Sequence, residues 1–93
     1  MRARYSAFAG HDEAYLLRTW HPDTRPKRVP FESGLRWLGL DVIATTGGNL
    51  LDAEGIVEFH ARYERANTPG VLHERSRFVR SNGCWVYVVG DQT

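Results

Sequence analysis

The sequence predicts one α+β domain over residues 1–93, in which two or three N-terminal helices precede a meander of about four antiparallel strands. Three observations lead to this fold class. A length of 93 residues suits one domain. Apolar residues recur with a helical period up to residue 20 and alternate with a period of two from residue 38. Turn-forming residues separate the alternating segments, as expected of hairpins.

The composition excludes several classes of protein. Hydrophobic residues make up 42% and charged residues 25%, which is typical of a soluble globular chain. A single Cys excludes a disulfide framework. No apolar run reaches the roughly 20 residues that span a bilayer, and the N-terminus lacks a signal-peptide core. We therefore expect a cytoplasmic protein with no membrane partner, and a net charge of +1 argues against nucleic acid.

Two short helices are predicted at the N-terminus. Residues 1–9 place apolar side chains at i, i+4, i+7 and i+8, and Gly10 suits the left-handed position that often follows a helix. Asp12 is expected to cap a second helix, which Pro22 ends. The segment Phe31–Trp37 can form a further helical turn.

Four strands follow, separated by turns. The first starts at Leu38, and the others are predicted at Gly55–Glu64, Val71–Arg80 and Cys84–Val89. Asn82-Gly83 is the strongest short hairpin signal in the chain.

The two turns of the last three strands predict how those strands pair. A two-residue turn at Asn82-Gly83 places Phe78 opposite Tyr87 and Ser76 opposite Val89. A loop of residues 67–70 sets the pairing of the other hairpin. Its expected partners are Phe59 with Phe78, Ala61 with Ser76, and Tyr63 with Glu74.

Both hairpins assign the same residues to an inner face, which is rich in aromatic side chains and should pack on the helices. Val89 is expected on this face. The side chains expected to line an inner pocket are Tyr5, Trp20, Phe59, Tyr63, Glu74, Ser76, Phe78, Trp85 and Tyr87.

Several strings of residues resemble the bacterial YchJ family. They are Arg4–Phe8 (RYSAF), Thr19–Pro22 (TWHP), Val57–Ala61 (VEFHA) and His73–Phe78 (HERSRF), together with the spacing of Asn82-Gly83 and Trp85–Tyr87. The resemblance covers nearly the whole chain. It implies a nuclear transport factor 2-like fold, in which a curved antiparallel sheet forms a cone around helices. Because that fold includes isomerases, dehydratases and non-catalytic binders, the resemblance implies no particular reaction.

The chain departs from the YchJ pattern at its N-terminal end. YchJ-type proteins commonly carry a cysteine-rich adaptor, the SEC-C motif, before the segment that resembles Arg4–Phe8. Here Met1 comes almost directly before that segment, and Cys84 is the only cysteine. Either the motif is absent or the chain begins inside a longer relative's sequence. Zinc binding and SEC-C partners are therefore not carried over, and we expect no cofactor.

Glu74 is the main candidate for catalysis. A carboxylate in an apolar pocket has a raised pKa, which suits a general acid or base near neutral pH. In the alternative reading, Glu74 is structural and pairs with an inward Arg or a helix backbone N–H. His21, at the expected mouth of the cone, either relays a proton or caps helix carbonyls. His60, His73 and Cys84 lack the short paired spacing of metal ligands, so no metal site is expected.

The outer face of the sheet predicts a homodimer. Apolar residues there, rimmed by Arg and Glu, suggest a buried contact, and the resemblance supports this because domains of the fold often dimerise through that surface. The expected interface residues are Ile56, Arg75, Arg77, Val79, Val86 and Val88. The aromatic residues that nucleic-acid binding needs beside arginines lie on the opposite face, so we expect no nucleic acid there.

The sequence thus favours a module that binds a small molecule in a cone-shaped pocket or binds a protein partner. An acid–base enzyme of the isomerase, dehydratase or hydrolase type, using Glu74, is the alternative. A third reading is a structural adaptor that dimerises and presents its arginine-rich face.

Overall fold

A computed structural model describes residues 1–92, and Thr93, the last residue of the predicted domain, lies outside the described residues. Residues 1–92 form two helices followed by a four-stranded antiparallel sheet with strand order β1-β2-β3-β4. The elements are α1 (Arg2–Ala9), α2 (Glu13–Arg18), β1 (Leu35–Gly47), β2 (Glu54–Arg65), β3 (Thr68–Ser81) and β4 (Cys84–Gln92). The predicted α+β class is confirmed. None of the helices within residues 1–92 has the length and hydropathy to cross a membrane.

The corner between the two helices differs in one detail from the prediction. Gly10 ends α1 with a φ of −92°, and the left-handed residue is His11, with a φ of 57°. The His11 ring stacks on Phe31 at a centroid distance of 4.5 Å. Asp12 caps α2 as predicted, because its Oδ1 accepts a hydrogen bond from the Tyr15 backbone N–H at 3.1 Å.

The segment Phe31–Trp37 is not helical, contrary to the prediction. The Leu35 N–H donates to the Glu32 carbonyl at 3.3 Å and closes one turn, in which Gly34 has a φ of 83°. Strand β1 therefore begins at Leu35, three residues before the predicted start. Pairing with the long second strand extends β1 backward, and Trp37 becomes a strand residue opposite Tyr63.

The turn between β2 and β3 is shorter than predicted. Arg65 pairs directly with Thr68, so the loop is Ala66-Asn67 instead of residues 67–70. Ala66 and Asn67 have φ values of 49° and 67°, the two left-handed residues that a type I′ hairpin turn requires.

This shorter turn shifts the predicted register by four residues. The predicted pairs Phe59–Phe78, Ala61–Ser76 and Tyr63–Glu74 are wrong. The observed pairs are Phe59–Glu74, Ala61–Leu72 and Tyr63–Gly70. Because side chains alternate with a period of two, a shift of four leaves each residue on its predicted face. The shift instead moves Tyr63 along the sheet away from Glu74, so that its ring lies over Gly70, where a Cβ would be 2.6 Å from its hydroxyl oxygen.

The hairpin of β3 and β4 follows the predicted register only near its turn. Phe78 pairs with Tyr87 as predicted, but a bulge at Val88 places Val89 opposite Arg77. The predicted pair Ser76–Val89 is therefore wrong. Val89 belongs to the outer face, where it is 45% exposed.

The chain that follows α2 attaches to the free edge of β4. The His21 N–H donates to the Tyr87 carbonyl at 2.7 Å, and the Tyr87 N–H donates to the Thr19 carbonyl at 2.9 Å. Thr24 adds a hydrogen bond from its hydroxyl to the Val88 carbonyl at 2.7 Å, at the bulge. These bonds hold Trp20 against the inner face of the sheet, with its ring 5.0 Å from that of Tyr87.

The Ala66 turn provides a test of the observed register. An alanine with positive φ is strained, so Ala66→Gly should raise the free energy of unfolding by about 0.5–1 kcal/mol in urea denaturation. The same change at Ala44, an exposed residue of β1, should lower it by a similar amount because glycine weakens a strand. Equal destabilisation by both substitutions would contradict the Ala66-Asn67 turn.

Candidate functional site

A cavity of about 240 Å³ lies between α1 and the inner face of the sheet. Its walls are mostly apolar and aromatic. They comprise Met1, Arg4, Tyr5, Phe8, Trp20, Trp37, Phe59, Ala61, Leu72, Glu74 and Tyr87. A cavity with such walls and a few polar groups is the usual form of a small-molecule site, although this one is smaller than most.

The structure brings five of the predicted pocket residues to this cavity, namely Tyr5, Trp20, Phe59, Glu74 and Tyr87. The other predicted pocket residues lie elsewhere. Phe78 and Trp85 line a neighbouring cavity of about 410 Å³ that also includes residues of the connection between β1 and β2. Tyr63 packs its ring edge-to-face with Trp37 at 5.8 Å. Ser76 is fully buried and reaches the site through Glu74.

Arg4 is the most important site residue that the sequence analysis missed. Its side chain is only 7% exposed. The guanidinium carbon lies 3.5 Å from the ring centroid of Tyr87, 4.5 Å from that of Trp20 and 5.1 Å from that of Phe8. Three aromatic faces thus stabilise a cation that has little water around it. The available signal was helical spacing, which places Arg4 on the same face of α1 as Phe8.

The buried guanidinium group is only partly compensated. Burial lowers the pKa of Arg4, while Tyr87 and Glu74 act in the opposite direction. The Nη1 atom of Arg4 and the Nε1 atom of Trp20 are both buried, and neither has a hydrogen-bond partner within residues 1–92. Two unsatisfied donors therefore belong to side chains of one cavity.

Glu74 contributes a carboxylate to the same cavity. The Ser76 hydroxyl donates a hydrogen bond to its Oε2 at 2.8 Å. Within the described residues Glu74 forms neither of the predicted structural contacts, since no ion pair joins it to Arg4 and no helix N–H donates to it. A side chain at Gly90 would collide with this carboxylate and lie 2.8 Å from the Tyr87 hydroxyl oxygen. Glycine at position 90 therefore permits the close approach of these two groups.

Tyr87 connects the charged groups of the site. Burial raises the pKa of its phenol, the Glu74 carboxylate adds to the rise, and Arg4 opposes it. His21, the second catalytic candidate, is bonded to Tyr87 only through its backbone, and its Nδ1 accepts a hydrogen bond from the Asp23 N–H at 3.1 Å. Its ring is not part of the cavity wall, so the structure does not bring Glu74 and His21 together there.

The outer face of the sheet carries charged side chains in pairs. Arg62 contacts Asp41 at 3.1 Å, and His73 Nε2 lies 2.6 Å from Glu58 Oε2. The His60 ring meets the His73 ring edge-to-face at 4.7 Å. Within residues 1–92, His, Cys, Asp and Glu side chains form no group of three that could hold a metal ion.

Comparison with known families identifies the family to which this chain belongs. The family model for the YchJ middle NTF2-like domain matches residues 1–90. This chain belongs to the YchJ family. The predicted family resemblance is confirmed.

Relatives of this YchJ domain occur in several bacteria. A UPF0225 protein of Streptomyces avermitilis is 53% identical over 98% of this chain, and UPF0225 protein SCO1677 of Streptomyces coelicolor is 50% identical over 98%. The chain spans 62% and 70% of the lengths of these two relatives. The solution structure of RPA3114, a SEC-C motif containing protein from Rhodopseudomonas palustris, has a TM-score of 0.84 and 29% identity. The match covers the whole of this chain and 75% of that one.

The raised pKa of Tyr87 predicts how stability depends on alkaline pH. The unfolded phenol ionises near pH 10, whereas the folded one must remain protonated to a higher pH. The stabilisation is therefore complete below about pH 10 and is lost as the pH rises through the folded pKa. The free energy of unfolding should fall more steeply above pH 10 in the wild type than in Tyr87→Phe, measured by urea denaturation. Parallel curves would contradict this.

Proposed function

We propose that this YchJ domain binds a small, largely apolar molecule in the cavity between α1 and the sheet. The observation that carries the proposal is an apolar cavity that holds two charged side chains of opposite sign, Arg4 and Glu74, with no ion pair between them. Placing charged side chains in an apolar cavity is costly even where aromatic rings and a hydroxyl compensate for part of the lost hydration, so a fold selected for stability alone would pair or replace these groups.

Small residues on the cavity wall support this proposal. Ala61 is only 2% exposed and lies on the central strand β2, where larger apolar residues pack well. Empty volume in a core lowers stability by about 24 cal/mol per Å³. A larger side chain at position 61 would fill part of the cavity, and Gly90 likewise preserves space beside Glu74. The sequence therefore retains a cavity at some cost in packing.

Filling the cavity tests this proposal directly. Ala61→Leu should abolish saturable binding of small aromatic fragments, measured by ligand-observed NMR, because its side chain occupies the site. Ala14→Leu, on the exposed side of α2, is the matched control and should bind as the wild type does. Binding that survives in a folded Ala61→Leu protein, or a wild type that binds no fragment, would contradict the proposal.

We also propose that the outer face of the sheet binds a second copy of the chain. The face carries both signs of charge, through pairs such as Arg36–Glu64 at 3.3 Å and Arg77–Glu54 at 3.8 Å. A twofold interface places each residue against a different residue of the same surface, so a face with mixed charges complements itself. Exposed Val89 adds to the apolar residues expected there.

A charge placed on this face should dissociate the dimer. Val86→Asp should elute as a monomer in size-exclusion chromatography with light scattering, while the wild type is a dimer. Leu51→Asp is the control, because Leu51 is the most exposed large apolar residue of the described chain and lies in the loop between β1 and β2. Circular dichroism would verify that both variants fold. A wild type that stays monomeric at millimolar concentration would disprove the interface.

A further inference from the structure

The cavity contains an arrangement of donors and acceptors that restricts the chemistry of its ligand. Arg4 Nη1 and Trp20 Nε1 are buried donors with no partner within residues 1–92. Buried polar groups in native proteins are normally hydrogen-bonded, so these two groups call for an acceptor from a ligand or from water. Arg4 lies over the Trp20 ring, with its guanidinium carbon 4.5 Å from the ring centroid, so the two donors belong to side chains in direct contact.

The other polar group of the cavity calls for a donor. Glu74 receives one hydrogen bond from Ser76, and a carboxylate can accept about four. Glu74 is also close enough to Arg4 and Tyr87 to raise the pKa of each, although no ion pair links it to Arg4. The residues that line the cavity therefore include two donors without a partner and one carboxylate with unused acceptor capacity.

The opposite charges of Arg4 and Glu74 disfavour a ligand with a net charge. An anionic ligand would gain from Arg4 but would be repelled by the Glu74 carboxylate, and a cationic ligand would meet the reverse situation. In a site with little water both repulsions are strong. A neutral group that offers an acceptor and an N–H donor on adjacent atoms satisfies both sides without adding a charge.

We propose that the ligand is a neutral molecule with a primary or secondary carboxamide attached to a compact aromatic or branched apolar group. Its carbonyl oxygen accepts from Arg4 and Trp20, its N–H donates to Glu74, and its apolar part packs against Phe59 and the other rings of the cavity. This inference rests on the proposed small-molecule function of the same cavity. Its failure is nevertheless distinguishable from the failure of that function.

A series of probes that share one phenyl ring tests the inference. Benzamide presents both the acceptor and the donor, methyl benzoate only the acceptor, toluene neither, benzoate a negative charge and benzylamine a positive one. Titrations followed by protein NMR should show benzamide binding at least about tenfold more tightly than the other four. Equal or tighter binding of any other probe overturns the carboxamide assignment, although it leaves the proposed binding function standing. Failure of all five probes to bind also overturns the assignment, and the fragment experiment above then decides the binding function separately.

Two further measurements assign the contacts. Glu74→Met should weaken benzamide binding about tenfold and abolish its preference over methyl benzoate, whereas Glu32→Met, an exposed change of the same kind outside both the cavity and the outer face, should have no effect. In the wild-type protein, benzamide should shift the indole N–H resonance of Trp20 more than toluene does. This second readout does not depend on the folding of any variant. An unchanged benzamide preference in Glu74→Met, or equal Trp20 shifts with both probes, refutes the proposed contacts.

Discussion

The stacking of Arg4 on Tyr87 is the contact on which the rest of the site depends. Helix α1 and strand β4 are far apart in sequence, and they meet through these two side chains, with the Arg4 guanidinium carbon 3.5 Å from the Tyr87 ring centroid. Trp20 joins the same cluster because the chain after α2 is bonded on both sides of it to the Tyr87 backbone. Tyr87 thus positions the Arg4 guanidinium group through its ring and the Trp20 side chain through its backbone hydrogen bonds.

The bulge at Val88 gives this arrangement its shape. An extra residue increases the local twist of a strand and leaves part of its backbone unpaired. Here the free Val88 carbonyl accepts a hydrogen bond from Thr24, which fastens the connection after α2 to the sheet edge. The bulge also places Gly90 opposite Ser76, beside Glu74. The bulge at Val88 therefore accounts both for the covered edge of β4 and for the space beside the Glu74 carboxylate.

Periodicity predicted the sheet faces up to the bulge that moves Val89 to the outer face, but it could not fix the register. The predicted pairing of β2 with β3 was displaced by four residues because the turn is Ala66-Asn67. A displacement by an even number leaves each side chain on its predicted face, so the aromatic residues of the inner face were assigned correctly while their partners on the adjacent strand were not. Alanine gives no signal for a left-handed turn, and the Pro69-Gly70 pair nearby gives a strong but misleading one. Trp37 was not predicted to line the cavity, because β1 was expected to start at Leu38 and only its observed pairing with β2 extends the strand back to Trp37. Arg4 was missed because a charged residue in an amphipathic helix is normally expected to face solvent.

The alternation of β3 separates the two surfaces for which functions are proposed. Glu74 lines the cavity and Ser76 shares its face of the strand, whereas His73 and Arg75 belong to the outer face, so each surface can change without replacing residues of the other. Their backbone is nevertheless shared, and a displacement of Glu74 along the strand would also move its neighbours. The hydrogen bond from the fully buried Ser76 orients the Glu74 carboxylate on this strand. A strand with different chemistry on its two sides therefore suits the proposed arrangement, in which a ligand binds in the cavity while the outer face remains available to a second copy of the chain.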